Sequence, residues 1–252
     1  MLADSHCHLD FLNEKEIEKA EKKGVVGFII PGIKGYSYLA NKLSEKYKNV
    51  FFAVGVHPLF IKEAPKTVMN TIFDVASENP NCVAIGEIGL DFFEKDIDKQ
   101  LQFDVFEIQL EIAQKTDKPV IIHLRKGYKE FLEITSNYRD LTYIMHMFSG
   151  KLDFAKALLK RFDRVFFSFG APAIRSNAKK AVEVLKGIPL SSVLVETDSP
   201  DLPPEGFSSP NTPSNLPYIA EQIADRLEVD RDKFFAQTLK NTEEAFKCSF
   251  QG

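Results

Sequence analysis

Short apolar runs alternate with longer amphipathic stretches from one end of the chain to the other. The runs occupy residues 2–8, 25–31, 51–57, 82–86, 119–123, 142–146, 164–168 and 192–196. Segments such as VVGFII, VFFAVGV, CVAIG and RVFFS lack polar alternation, so they read as strands covered on both faces, as in a parallel sheet under helices. The stretches between them carry helical period. FDVFEIQLEIAQKT places Phe103, Phe106, Leu110 and Ala113 on one face. LDFAKALLKRF and SNAKKAVEVLKG repeat the pattern, with Gly187 as a stop. Eight strand–helix alternations are followed by an extra C-terminal helical stretch at 230–247. This α/β repeat predicts either a closed barrel or a doubly wound sheet.

The length of 252 residues suits one barrel. No linker, low-complexity tract or charge block divides it, so residues 1–252 read as one domain. The segment SPDLPPEGFSSPNTPS, 199–214, reads as a rigidified loop after the eighth strand. No run approaches the roughly 18 apolar residues of a membrane helix, and MLADSHCHLD does not resemble a secretory leader. Three scattered cysteines argue against a disulfide framework and for a reducing cytoplasm. A net charge of −4 gives no support to tight, non-specific binding of DNA.

The polar residues at the strand ends decide the fold. In an H-x-H on the first strand, period two sends His6 and His8 the same way as Asp4, with Cys7 opposed. Glu87 closes VAIGE, His123 closes PVIIH, His146 closes YIMH, and Asp198 follows VLVE. Four of the five histidines thus stand where an apolar run gives way to a loop. Barrel enzymes place their chemistry at those C-terminal ends, so the expected fold is a TIM-type (β/α)8 barrel. Four imidazoles and two carboxylates exceed what one tetrahedral ion needs. They predict two divalent ions bridged by Glu87, with His6, His8 and Asp198 on one and His123 and His146 on the other. Two such ions can lower the pKa of a shared water and clamp both oxygens of a displacement. Asp198 is the expected general base, with Glu87 as the second catalytic group. Mixed nitrogen and oxygen ligation favours zinc, with manganese, nickel or iron next and magnesium the least natural.

HCHLDF, GVHP, GEIGLDF, PVIIHLR, HMFSG and VETDSPDLPP, taken together and in this order, resemble the TatD family of metal-dependent deoxyribonucleases in the amidohydrolase superfamily. The resemblance spans essentially the whole chain. It implies a two-metal barrel hydrolase, 3′-to-5′ exonuclease activity as in some members, and ligands at the same six residues. DNA or a short nucleic acid, held locally, is the expected partner. Candidate substrate contacts are His57 in GVHP, Arg125 two residues beyond His123, and Ser149 before a helix starting near Lys151. Each has a plainer reading: backbone satisfaction for His57, an ion pair to Asp4, Asp91 or Glu196 for Arg125, and a helix cap for Ser149. Asp91 reads as an orienter of a histidine or a loop cap, and Asp4, Thr197 and Ser199 as structural. Phe92, Phe93, Phe148 and Phe207 lie in mouth loops where they can stack on bases or pack. The loop GFSSPNTP departs from the family pattern by lacking basic residues before Asn211 and Pro213, and Asp201 and Met147 differ too. That departure bears on substrate and leaves room for an amidase, lactonase or deacylase on the same scaffold.

Overall fold

A computed structural model describes residues 1–64, 67–93 and 98–250. Eight parallel strands run round it in chain order: β1 (Leu2–Asp4), β2 (Val25–Ile30), β4 (Val50–Val56), β5 (Cys82–Asp91), β6 (Val120–Arg125), β7 (Thr142–Met145), β8 (Arg164–Phe169) and β9 (Val193–Val195). A two-residue β3 (Lys34–Gly35) adds antiparallel to the end of β4. No ladder joins β1 to β9 among the described residues. The barrel closes there through Ser5 N–H donating to Val195 O (3.1 Å) and Asp198 N–H donating to His6 O (3.0 Å).

Helices cover the outside: α1 (Lys15–Glu21), α2 (Tyr38–Lys46), α3 (Val68–Glu78), α4 (Lys99–Thr116), α5 (Tyr128–Ile134), α6 (Leu152–Arg161), α7 (Lys179–Gly187) and α8 (Leu216–Leu227). In α4 the predicted stripe faces inward: Phe106, Leu110 and Ala113 are buried, and Phe103 packs partly against them. Asp98 caps it by accepting from Gln100 and Leu101 N–H groups. Helix α7 stops at Gly187, as the sequence predicts.

The barrel interior follows from strand period two. Ala3, Ile29, Ala53, Ala84, Ile121, Ile144, Phe166 and Leu194, one from each strand, form a single apolar cluster. The extra helix, α9 (Arg231–Phe246), explains what shuts the N-terminal end. Its Leu239, Ala245 and Phe246, with Phe250 beyond it, belong to that same cluster. Phe250 lies so close over Gly27 that a Cβ there would sit 2.2 Å from its ring. Among the described residues no helix is long and apolar enough to cross a membrane.

Two strand boundaries differ from the sequence reading, both at the site. β1 ends at Asp4, so His6 and His8 lie beyond it, and His8 caps a short 3-10 turn at Leu9–Phe11. Ala3 is the residue that faces the interior, so simple alternation does not carry His6 inward; the chain's departure from the strand does. Conversely β5 runs on to Asp91, so Glu87 lies within a strand and not at its end. It reaches the mouth because the β5–β6 register slips between Ile85 and Ile88, a bulge that re-aims one side chain.

Candidate metal centre

Two residues above the apolar layer, the same parity gives Ser5, His123, His146, Ser168 and Glu196. This second layer is the polar floor of the mouth. Ser5 and Ser168 bond across it at 2.8 Å. Glu87 is fixed by backbone bonds on both sides of its bulge: Gly32 N–H donates to Gly86 O and Glu87 N–H to Gly32 O, each at 2.7 Å. Gly89 must be glycine, because its φ is +137° and a Cβ would meet His123 O at 2.1 Å. Asp198 adopts φ +57°, a left-handed conformation that Asp tolerates, which turns its carboxylate back over the mouth.

The six predicted residues converge. Glu87 faces two groups with its two oxygens. Oε2 lies 3.4 Å from His6 Nε2, while Oε1 lies 2.8 Å from His123 Nδ1 and 3.8 Å from His146 Nε2. Asp198 Oδ1 stands 3.6 Å from His6 Nε2 and 3.8 Å from both His8 Nε2 and His146 Nε2. The His6 and His146 rings stack with centroids 3.6 Å apart. His6–His8–Glu87, His6–His146–Glu196 and His57–Glu87–His123 are each compact enough to share a cation.

Buried polar atoms without partners test whether this donor set fits a metal. Both ring nitrogens of His6 and Nδ1 of His8 are buried and make no hydrogen bond. Such orphaned atoms ordinarily cost about 1–3 kcal/mol each. A neutral imidazole has one lone pair, so one orphaned nitrogen on each ring, among converging carboxylates, fits a divalent cation. The electrostatics agree. Burial, with the neighbouring His146, holds His6 well below the usual imidazole range, so it stays a neutral ligand. Burial alone would lower His146 too, but the charges of Glu196, Glu87 and Asp198 override it and push it up to about 10. Burial raises Glu87, yet His146, His57 and the His123 hydrogen bond prevail and hold it well below the carboxylate range. For Asp198 burial wins, and the group rises to about 7.

A surrounding set of side chains fixes the ligands. His123 Nε2 bonds Asp91 Oδ2 at 2.9 Å, leaving Nδ1 for the mouth. His146 Nδ1 bonds Glu196 Oε2 at 3.1 Å, leaving Nε2. The sequence predicts Asp91 as an orienter of a histidine but offers Glu196 only as a partner for Arg125; Glu196 is fully buried and also accepts from Met147 N–H at 2.6 Å. The available signal was parity: Glu196 stands two beyond Leu194, as His146 stands two beyond Ile144. Asp4 is structural, accepting from Thr197 N–H (3.0 Å) and Oγ1–H (2.6 Å) across the closing seam.

His57 meets the backbone reading and turns its other nitrogen toward Glu87. Its Nδ1 accepts from Leu59 N–H at 3.1 Å, so Nε2 carries the proton, and Nε2 lies 3.5 Å from Glu87 Oε1. Arg125 pairs with Asp91 at 3.5 Å and lies over the Phe93 ring at 4.2 Å. Ser149 is exposed, and its carbonyl accepts from Lys180. Phe92 and Phe148 pack inward, against Phe103 and against Phe154, Phe167 and Phe169. Phe93 and Phe207 stay exposed.

Known proteins share this sequence and architecture. YabD of Bacillus subtilis (strain 168), described as an uncharacterized metal-dependent hydrolase, is 33% identical over 262 residues, covering 99% of this chain and 100% of YabD. The 3′-5′ ssDNA/RNA exonuclease TatD of Citrobacter rodentium is 31% identical over 242 residues, 93% of this chain and 91% of that protein. The crystal structure of YjjV, a TatD homolog from Escherichia coli, superposes with a TM-score of 0.91 at 27% identity, covering 98% of each chain. The profile of TatD related DNases matches residues 3–247, and the chain belongs to that family.

Proposed function

We infer that the protein is a divalent-metal-dependent phosphodiesterase that hydrolyses DNA or a short nucleic acid, in the 3′-to-5′ sense named for its Citrobacter relative. The observation that carries this reading is the split of Glu87, whose Oε2 faces His6 and whose Oε1 faces His123 and His146. A carboxylate so placed is suited to bridge two cations about 3.5–4 Å apart. His6, His8 and Asp198 would complete one site, His123 and His146 the other, and zinc suits this mixture of nitrogen and oxygen donors best. When bound, the cations supply Lewis acidity to the phosphodiester and a water of lowered pKa.

The chain's own residues divide the remaining work. Asp198 reaches solvent more than Glu87 does, at 15% against 5% of its side chain, which suits it to take a proton from water at the mouth. Asp91 and Glu196 hold His123 and His146 in the orientation that presents one nitrogen each. Arg125, tied at Asp91 and lying over Phe93, keeps its guanidinium beside the mouth, where its fork matches phosphate oxygens. His57 and Ser149 stand at the same mouth as further contacts for the substrate.

Incubating the zinc- or manganese-loaded protein with end-labelled single-stranded DNA tests the reading. Release of mononucleotides from the 3′ end is expected. Turnover of carboxylic esters or amides, without any cleavage of DNA under magnesium, manganese or zinc, would replace it with an amidase, lactonase or deacylase function.

A further inference from the structure

The segments that follow β7 and β8 enclose a cavity of about 250 Å³ next to the metal centre. Met147, Phe148, Phe169, Pro172, Ala173 and Ala181 give it apolar walls. Lys180 also lines it, exposed, with Nζ donating to the Ser149 carbonyl. Two residues that line the cavity, Met147 and Gly170, adjoin Glu196 of the centre. Met147 follows His146, and its N–H donates to Glu196, whose other oxygen holds His146 Nδ1. Gly170 brings the two segments together. A Cβ there would lie 2.8 Å from Met147 Cε and 3.1 Å from Glu196 O, so only glycine lets the Met147 thioether lie across the floor.

Three features define the occupant. Apolar walls disfavour a sugar or an ionised group, because burying either without hydrogen bonds is costly. The volume falls below the roughly 300–1,000 Å³ of pockets that take whole drug-sized ligands, which suits one ring system and not a stacked pair. Lys180 lines the cavity and Met147 ties it to Glu196 of the centre, so an anionic chain can run from the centre past Lys180 while one ring enters. A heteroaromatic ring carried on a sugar-phosphate backbone meets all three conditions.

We propose that this cavity receives one unstacked nucleobase of the substrate, beside the phosphodiester held at the metal centre; the proposal rests on the nucleic-acid reading above. The base is gripped by its faces, between Phe148, Phe169, Pro172 and the deformable Met147. Few polar side chains line the walls, so discrimination among the four bases is weak. A paired base cannot enter, so single strands are preferred to duplexes.

Calorimetry on the metal-loaded full chain tests this with deoxyadenosine 5′-monophosphate and 2-deoxyribose 5-phosphate, which differ only in the base. The nucleotide is expected to bind about tenfold or more tightly, the usual gain from stacking one base. Ala181→Phe, which fills the cavity from α7, is expected to cut that preference below about twofold, with affinity for 2-deoxyribose 5-phosphate unchanged. Ala178→Phe fills it from the preceding loop and serves where the first variant does not fold. Equal affinity of the two ligands for the wild-type protein would overturn the proposal, as would a base preference that survives either folded variant. Binding is read without turnover, so a protein that prefers the nucleotide yet cleaves no DNA sinks the phosphodiesterase reading and leaves the base site standing.

Discussion

His146 stands among three carboxylates, and their charge keeps it protonated up to about 10 even though burial opposes that. On the proposed ligation a metal ion must displace this proton, since only the neutral imidazole offers Nε2 as a ligand. Metal binding is therefore expected to release protons and to strengthen as pH rises from neutrality toward that value, which titration in buffers of different ionisation heat will show. Glu196→Gln removes one of the three charges and leaves one acceptor oxygen for both Met147 N–H and His146 Nδ1. It is expected to weaken metal affinity about 10–100-fold, measured by competition with a chelating dye. Glu87→Ala is expected to abolish both binding and turnover, giving near-zero stoichiometry by elemental analysis. Asp198→Asn is expected to keep the ion held by His123 and His146 while the rate falls about 10²–10⁴-fold; near-normal activity would remove Asp198 as the base. At this scale the sequence was informative for residues that announce themselves. Histidines at strand ends are rare enough to count, whereas Glu196 hides among ordinary carboxylates until parity is read from Leu194.

The elements were legible where they obey a local rule and obscure where a neighbour overrides one. Eight strands and the stripe of α4 follow from periodicity within each segment. The early end of β1 and the slip in β5 do not, because both depend on the partner strands: on where Val195 meets Ser5, and on how β6 registers against Ile85 and Ile88. The sequence likewise marks 230–247 as a helix without saying what it covers. Phe246 is 1% exposed against the interior layer at the N-terminal end of the strands. Phe246→Ala is expected to destabilise the fold by about 3–5 kcal/mol, measured by denaturant unfolding at fixed metal concentration. Metal stoichiometry and KM are expected to stay unchanged, because the apolar layer lies between this residue and the mouth.

Over the whole molecule the charge is −4, and the loop at 199–214 contributes Asp201 and Glu205 with no lysine or arginine. Arg125 and Lys126 lie over Phe93, and Lys180 is tied to Ser149. Affinity for single-stranded DNA is therefore expected to fall only gently with salt, with a log–log slope of about −1 to −2, as for one to three phosphate contacts. A slope of about −5 or steeper would show an extended basic track that this surface does not suggest.

The seam where β1 meets β9 gives the centre a place in time as well as in space. A ribosome delivers His6, His8, Glu87, His123 and His146 well before Asp198, and the bond from Asp198 N–H to His6 O forms only when the last strand returns to the first. A half-made chain thus carries most of the donors without the enclosure that orders them. Full loading of the proposed centre would wait until synthesis has brought the two ends of the circle together. Acquisition of the complete metal complement is then a timestamp of barrel closure, and a chain stalled before that strand is an unfinished chelator with no catalytic life of its own.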